Sequence, residues 1–338
     1  MSGSLLARRI GSSLFTIALI IIVNFILFRL MPGSPERIIL RGTPNVTPAV
    51  LEAARERWGL NDPAMPIVID KTGIHIAAEN QFFKYLAATV HGDLGFSFVA
   101  RGQTVIEVLG QRIWPTVILF GLGELLAIVL GLALGAYTGW RRGGPVDVVG
   151  NGVSLLLYST PYFLLGMALL LIFATGLRWF PTFGMFTTGA TYADGFAWLM
   201  DFLRHLALPL ATVGFGLVGQ YAIVMRSSII ETLSDDYVTT ARSMGLSDGR
   251  VLRHHALRNA LLPTVSLIAI NLGYVVAGAI TVEVVFNWPG LGTLSVEALT
   301  ARDYPILQGV FLLLSVSVVL ANLVADLIYT VLDPRVRA

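Results

Sequence analysis

The stretch that decides how this chain folds runs Asp236-Tyr-Val-Thr-Thr-Ala-Arg-Ser-Met-Gly-Leu-Ser-Asp-Gly-Arg-Val-Leu-Arg-His-His-Ala-Leu-Arg-Asn-Ala-Leu-Leu-Pro263. It is the longest polar stretch in the second half of the chain, and it lies between two apolar stretches. Together with Arg226 just upstream, it carries five arginines. The pattern indicates two short helices hinged at Gly245. A structured loop on the arginine-rich side of a membrane is expected to be a docking surface for a soluble partner.

The composition is that of a membrane protein. Of 338 residues, 55% are hydrophobic and 13% are charged, whereas a soluble domain carries about 25% charged residues. The mean hydropathy is +0.74. There is no cysteine, which excludes disulfides and thiolate metal sites. The arginines are scattered and no aromatic-basic motif accompanies them, so the sequence gives no indication of nucleic-acid binding.

Six stretches contain the roughly 20 mostly apolar residues that a helix needs to cross a membrane. These predicted transmembrane helices are Ile10–Leu30, Thr116–Gly139, Val146–Leu177, Leu206–Met225, Pro263–Phe286 and Ile306–Leu332. The third is long enough to tilt or to end in an interfacial turn. The first follows Arg8 and Arg9, as a secretory signal would, but its apolar core exceeds the roughly 7–15 residues of a signal. We therefore interpret the first stretch as an uncleaved anchor.

The placement of arginine predicts the orientation, because cytoplasmic loops carry an excess of Lys and Arg. With an inside N-terminus, the inside segments carry Arg8, Arg9, Arg141, Arg142, Arg226, Arg242, Arg250, Arg253, Arg258, Arg335 and Arg337. The two short outside loops carry only Arg178, Arg204 and Arg302. Both termini are therefore predicted to be cytoplasmic.

The predicted organisation has three parts. They are a cytoplasmic N-terminus with the first transmembrane helix (1–31), an extracytoplasmic cap (32–115) and a five-helix core with a cytoplasmic loop at 226–262 (116–338). In the cap, the Thr47-Pro48 pair predicts the start of a helix over Thr47–Trp58. Gln81–Val90 is a second predicted helix, and His91–Ser97 is a predicted turn.

No nucleotide-binding motif is found. A phosphate-binding loop needs a second glycine directly before its lysine, but Asp70 stands before Lys71. The chain is therefore not expected to be an enzyme that hydrolyses ATP. Gly214–Gly219 matches a dinucleotide pattern, but it lies inside a predicted span, where small residues favour close helix packing. The same interpretation applies to the glycines at every fourth position of the second span, which are Gly131, Gly135 and Gly139.

Polar residues inside spans are functional candidates, because they cost free energy there. The set is Asn24, Glu124, Asn151, Gln220, Asn271, Glu283, Asn322 and Asp326. Hydrogen bonding between helices is the common role of such residues. Asn24, Asn271 and Glu283 are the candidates for lining a transport path, although Glu283 lies near a span end and could reach water.

The His254-His255 pair is interpreted as solvated or interfacial, since no carboxylate lies at a suitable spacing for a metal.

Within the opening stretch, Asp235 or Asp236 is predicted to cap a first helix over Tyr237–Met244. Gly245 would end it in the left-handed conformation, and Ser247 or Asp248 would cap the next helix. That helix has Arg250, Arg253, His254 and Arg258 on one side, and Leu252, Ala256 and Ala260 on another. Leu262-Pro263 is predicted to close it where the fifth span begins. A surface helix on anionic headgroups would explain the arginines but not the uncharged first helix.

This stretch resembles the cytoplasmic coupling loop, or EAA loop, of ABC-importer permeases. The matching residues are the Gly245 hinge and the terminal Leu262-Pro263. Thr239-Thr240-Ala241 stands where that loop has Glu-Ala-Ala, and the Gly-to-Pro spacing is longer than in the general pattern. At both of these points the sequence resembles the dipeptide/oligopeptide/nickel branch of these permeases. Further resemblances to this branch follow in order at Arg29–Pro35, Trp58–Pro63, Gly92–Ser97, Ser159–Phe163, Pro289–Gly292, Arg302–Pro305 and Asp333–Arg335.

The resemblance implies the fold and the partners. It implies an all-α polytopic protein of the bacterial plasma (inner) membrane, with six transmembrane helices of the type I ABC-importer permease fold and a small extracytoplasmic cap. The large loop after the first span resembles that of the first permease subunit, and Ile69–Glu79 is interpreted as an insertion. The implied partners are a homologous second permease, two ABC ATPase subunits, an extracytoplasmic solute-binding protein and membrane lipid. ATP and Mg would bind the ATPase subunits, so no cofactor or metal is expected in this chain.

The resemblance also implies a coupling role for the loop. The Tyr237–Met244 helix would sit in a groove of one ATPase, and Gly245 and Pro263 would pass its motion to the fourth and fifth spans. The implied docking and coupling residues are Tyr237, Thr240, Ala241, Arg242, Met244, Gly245, Leu246, Leu262 and Pro263.

Three functions remain open at this point. The first is import of di- or oligopeptides, and the second is import of nickel, an opine or another small solute by the same machinery. The third is an ion-coupled carrier that works alone. The sequence shows neither a closely spaced Asp/Glu/His series nor the paired broken spans of many carriers, and both observations weaken the third.

Overall fold

The fold is built almost entirely from helices. The computed structural model describes residues 3–30, 47–49, 52, 61–70, 73–77, 79–100, 102–275 and 280–332. The helices are α1 (Gly3–Leu30), α2 (Gln81–Val90), α3 (Val105–Trp140), α4 (Pro145–Ser159), α5 (Tyr162–Leu169), α6 (Gly195–Leu233), α7 (Asp236–Ser243), α8 (Asp248–Arg250), α9 (Leu257–Tyr274), α10 (Ile280–Val285), α11 (Leu291–Ala301) and α12 (Tyr304–Leu332). Two π-helical segments, Leu170–Gly176 and Val251–Ala256, continue α5 and join α8 to α9.

Four helices of the described residues are long and apolar enough to cross a membrane. They are Ala7–Arg29, Val105–Trp140, Gly195–Leu233 and Tyr304–Val324. A fifth span is obtained if Pro145–Ser159 and Tyr162–Gly176 are taken together, although these two pieces meet at 105°. The bend lies at Thr160-Pro161, because proline lacks an N–H and disfavours helix at the residue before it. These helices contain the predicted spans one, two, three, four and six.

The predicted fifth span, Pro263–Phe286, is only partly covered by the described residues. Its first part lies in α9 and its last part in α10, and residues 276–279 lie outside the described residues. Most of the helix predicted over Thr47–Trp58 and the motif at Asp333–Arg335 also lie outside them.

The chain divides into two compact units. One unit contains residues 113–293 and 317–338, and the other contains residues 4–112 and 294–316. The first unit holds the 236–263 stretch, and the second holds α1, α2 and the first part of α12.

The second unit contains the predicted α2 and a pair of strands. Asn80 caps α2, and its side-chain oxygen accepts a bond of 2.8 Å from the Phe83 N–H. Strands β1 (Ile67–Asp70) and β2 (Gly73–Ile76) pair antiparallel, with Ile67 opposite Ile76. They lie largely in the stretch interpreted as an insertion, and they are the only strands among the described residues. The all-helical expectation therefore holds except for this short hairpin.

Within the first unit, α3 packs closely along α6. A Cβ atom placed on Gly135 would lie 2.7 Å from the Met225 Cβ, and one placed on Gly139 would lie 2.9 Å from the Arg226 backbone oxygen. Only glycine permits this approach. The interpretation of these glycines as a packing seam is confirmed. Gly216 similarly faces the Tyr162 ring, so the dinucleotide-like pattern of α6 also serves helix packing.

Candidate functional site

The first helix of the 236–263 stretch forms as predicted. It is α7, and it ends before Gly245, whose φ of +78° is the left-handed conformation that glycine adopts readily. The Gly245 N–H donates to the Arg242 carbonyl at 2.9 Å and so closes the last turn. Asp235 and Ser247 occupy the N-cap positions of α7 and α8 as predicted, but neither side chain makes a capping hydrogen bond.

The second helix departs from the prediction at its end. It runs from Asp248 through the π segment into α9, and Pro263 lies inside α9 rather than closing the helix. Proline is tolerated in such helices, because neighbouring helices and hydroxyl side chains satisfy the freed backbone groups. The prediction that Leu262-Pro263 closes the helix is therefore wrong.

The inner face of α7 packs on the second helix. Val238 and Ala241 are buried against Val251, and Leu233 and Leu246 pack around them. Ala241 is only 1% exposed, although the resemblance implied a docking contact for it. A helix places every third or fourth residue on one face, and this face of α7 is occupied by the chain itself. Ala241 therefore supports the loop from within, and the half-buried Leu246 packs against the same cluster.

The outer face of α7 is polar, and it begins with the exposed carboxylate of Asp236. Its centre is formed by Thr239, Thr240 and Ser243, all of which are exposed. Tyr237 and Met244 lie at its edges, and Met244 is 68% exposed. Thr239 and Ser243 were expected as polar residues of this helix but were not among the implied docking residues. The helical period places them on this face once the buried side is known.

Two side chains fasten α7 to its surroundings in the first unit. The Tyr237 hydroxyl accepts a hydrogen bond of 2.7 Å from the Asn259 amide of α9. The Arg242 guanidinium lies 5.8 Å from the centre of the Trp140 ring and 4.0 Å from an Asp248 carboxylate oxygen. A cation over an aromatic face is an attractive contact. Tyr237 and Arg242 are therefore partly engaged within the chain.

The second helix is amphipathic, as predicted. Ala256 and Ala260 are buried and Leu252 is half-buried, whereas the opposite side is exposed and carries Arg250, Arg253, His254 and Arg258. Leu262, on α9, is exposed. Among the described residues, no group of three or more His, Asp or Glu side chains could hold a metal ion.

Asn24 is held by hydrogen bonds within the second unit. Its amide donates to the Gln308 carbonyl at 3.1 Å and to the Tyr85 hydroxyl at 3.2 Å. The Asn24 side chain is buried. These two hydrogen bonds connect α1 to α2 and to α12. Hydrogen bonding between helices is the common role of polar residues in predicted spans.

Asn271 belongs to a polar network in the first unit. Its amide donates to the Tyr221 hydroxyl at 3.0 Å and to the Gln220 side-chain oxygen at 3.4 Å. The Tyr221 hydroxyl in turn donates to Glu124, whose side chain is buried. The sequence analysis singled out Glu124 and Gln220 as polar span residues but missed Tyr221, which joins them.

Glu283 does not reach water, contrary to the prediction from its place near a span end. Its side chain is 0% exposed. The carboxylate accepts from the Thr116 hydroxyl at 2.6 Å and from the N–H groups of Gly292 and Thr293 at 2.7 and 3.1 Å. The first N–H groups of a helix have no partner within it, and Glu283 satisfies those of α11. The nearby Trp288 indole donates to the Pro115 carbonyl at 2.9 Å, so this corner is a structural anchor.

One buried ion pair of the first unit was not found from the sequence. The Asp147 carboxylate accepts from Arg226 at both oxygens, at 2.6 Å from Nε and 2.9 Å from Nη2. It also accepts from the Gly143 N–H at 2.9 Å. The partners are 79 residues apart in the chain, and nothing local in the sequence links them.

Comparison with known proteins identifies related sequences along almost the whole chain. Residues 127–338 match the family described as binding-protein-dependent transport system inner membrane component. The chain is 37% identical to a putative peptide permease of Brucella suis, over 94% of this chain and 93% of that protein. It is 36% identical to a probable peptide ABC transporter permease of Sinorhizobium fredii, over 99% of both. It is 34% identical to a glutathione transport system permease of Salmonella choleraesuis, over 98% and 97%.

The fold also matches a solved structure. The inward-facing MetNI methionine ABC transporter aligns with a TM-score of 0.54 at 17% identity, over 67% of this chain and 96% of that one. At this identity the similarity concerns the fold alone. It bears out the type I importer permease fold that the sequence resemblance implied.

Proposed function

The chain belongs to the family of binding-protein-dependent transport system inner membrane components, and from this we propose that it is the permease subunit of an ATP-driven importer of peptides. The proposal rests mainly on one observation. Over nearly its full length, the chain is similar to proteins named as peptide and glutathione permeases. Glutathione is itself a small peptide, so these names share one chemical class of cargo. A multi-pass membrane component of this family draws its energy from separate ATPase subunits.

We propose that two ATPase subunits and a homologous second permease complete the transporter, and that a solute-binding protein delivers the peptide. ATP and Mg bind the ATPase subunits, and this chain carries no cofactor. The orientation follows the arginine distribution, with both termini in the cytoplasm of a bacterial cell. The segment over 32–115 is the extracytoplasmic part that meets the binding protein.

The proposed docking surface is the outer face of α7, centred on Thr239, Thr240 and Ser243. Its support is the burial of the opposite face, which leaves α7 in one fixed orientation. When the ATPases close, α7 is pushed, and only Ser234 and Asp235 separate it from α6. Because α9 continues through Pro263, we expect the second helix to pass motion on as a rigid rod. This is alternating access driven by a docked lever.

The decisive experiment is reconstitution in liposomes with the ATPase subunits, the second permease and the binding protein of the same organism. Labelled dialanine, trialanine and glutathione serve as probes. We expect uptake of at least one of them that requires ATP and the binding protein. Uptake driven by an ion gradient in liposomes that contain this chain alone would identify a secondary carrier and would overturn the proposal.

A further inference from the structure

The segment at 141–147 holds the turn between α3 and α4 together with the first residues of α4, and the Asp147–Arg226 pair joins it to α6. The pair is bidentate, which is the strongest geometry for an arginine and a carboxylate. The Asp147 side chain is 6% exposed, and that of Arg226 is 24% exposed. The pair is therefore shielded from much of the screening that weakens ion pairs at surfaces.

The position of Arg226 on α6 connects the ion pair to the proposed docking helix. Arg226 lies two turns before the end of α6, close to the linker that leads into α7. Its backbone oxygen lies against Gly139, at the last contact of the seam between α3 and α6. Asp147 lies in the first turn of α4. One ion pair thus fastens α4 to α6 at the end of that seam.

A second contact reaches the same place from α7. Trp140 is the last residue of α3, and the Arg242 guanidinium lies over its ring. The turn at 141–147 therefore begins beside one contact from α7 and ends at one contact from α6. Both contacts lie within the unit that holds the proposed docking helix.

We propose that Asp147 and Arg226 are positioning residues of the transport cycle, which clamp the 141–147 turn to α6 so that α3, α4 and α6 move as one body when α7 is pushed. The inference rests on the proposed function. Without the clamp, α4 would still pack on α6 along Ser154 and Tyr158, but the turn at its start would be free to absorb part of the push from α7. ATP hydrolysis would then continue while less peptide crosses the membrane per ATP.

The first test measures a distance within the purified chain. Because the chain has no cysteine, spin labels can be placed at Val149 on α4 and Glu231 on α6, both of which are exposed. We expect one narrow distance in the parent protein, unchanged when ATPases and nucleotide are added. The variant D147N/R226Q removes both charges together, so that neither is left unpaired, and its distance distribution should broaden. An equally narrow distribution in this variant overturns the proposal.

The second test measures peptide uptake per ATP hydrolysed in the reconstituted complex. D147N/R226Q should lower this ratio by roughly tenfold, the usual size of a coupling between sites, and R226K should fall between it and the parent. The control is D201N/H205Q near the other end of α6. It changes the Asp201–His205 contact and the hydrogen bonds that Asp201 accepts from Thr187 and Tyr192, and it should leave the ratio unchanged. A ratio in D147N/R226Q equal to that of the parent overturns the proposal.

The two arms separate this inference from the proposed function. If the parent complex retains its ATPases but moves none of the peptide probes, the cargo assignment fails. The distance between α4 and α6 is a property of this chain alone. It therefore tests the role of the Asp147–Arg226 pair whether or not the complex transports the peptide probes. Should D147N/R226Q fail to insert, the charge exchange D147R/R226D replaces it, and a narrow distance restored by the exchanged pair supports the proposal.

Discussion

Ala241 lies where α7 meets the second helix, and no larger side chain fits there without displacing its neighbours. Val238 and Val251 are fully buried beside it. In contrast, Thr240, the residue before it, is exposed and its hydroxyl donates to the Asp236 carbonyl of its own helix. Two adjacent residues of one helix therefore have separate roles, the first as a surface residue and the second as part of a small core.

This difference gives a matched pair of substitutions. Ala241→Glu should destabilise the loop by about 3 kcal/mol or more, because a buried carboxylate without a partner is costly. Thr240→Glu should leave the stability within about 0.5 kcal/mol, as is usual at surfaces, but should weaken ATPase binding, since the carboxylate loses water in the interface. Limited proteolysis of the loop and co-purification of the ATPases measure the two effects. An intact, protected loop in Ala241→Glu would contradict the burial argument.

At the scale of elements, α7 is defined by how it ends. The left-handed Gly245 turns the chain so that α7 folds back on the second helix. The second helix itself has no break at Pro263, so the turn at Gly245 is the one point in the described part of this stretch where the two helices can change their angle.

Gly245→Ala should therefore cost about 1–2 kcal/mol, because the left-handed conformation is unfavourable for residues with a Cβ atom. Gly249→Ala is the control, since Gly249 lies in α8 with nothing within 4 Å of an added Cβ. That change should stabilise the helix by up to about 1 kcal/mol. Thermal unfolding of both variants in lipid nanodiscs measures the difference. Equal shifts of the two midpoints would show that the conformation at Gly245 is not required.

At the scale of the whole molecule, the close contact between α3 and α6 organises the first unit. Gly135 and Gly139 on α3 lie against Met225 and Ile229 on α6. Because both helices are long and mostly apolar, their association in a membrane depends on packing rather than on the hydrophobic effect. A side chain inserted at the contact acts on both helices.

The variant Gly135→Ala tests the contact. An added Cβ would lie 2.7 Å from that of Met225, so the variant should lose about 1–3 kcal/mol through overpacking. Gly121→Ala lies on the same helix with nothing within 4 Å and should be neutral or stabilising by up to about 1 kcal/mol. Unfolding by heat in detergent compares the two. A similar loss of stability in both variants would contradict the close contact between α3 and α6 at Gly135.

The sequence predicted those parts of the fold that depend on local rules. Hydropathy located most of the spans, and the chemistry of glycine located the end of α7. It did not pair Asp147 with Arg226, or Glu124 with Tyr221, since these partners are distant in the chain and no local pattern connects them. The resemblance placed Ala241 in the docking loop. It did not indicate that Ala241 lies on the buried side of α7. For Pro263 a rule that ends soluble helices failed, because a helix packed among others can continue past proline.

The buried Glu283 has a consequence for rearranging the chain. Loops with small or polar residues usually accept inserted sequences, tags and new termini, and the segment between α10 and α11 has such a composition, with Asn287, Pro289 and Gly290. Here the carboxylate from α10 holds the first N–H groups of α11, and a Cβ on Gly290 would collide with it. The two helices are therefore joined by this side chain as well as by the backbone, and an epitope or a circular permutation placed between them would separate the carboxylate from the amides that it serves.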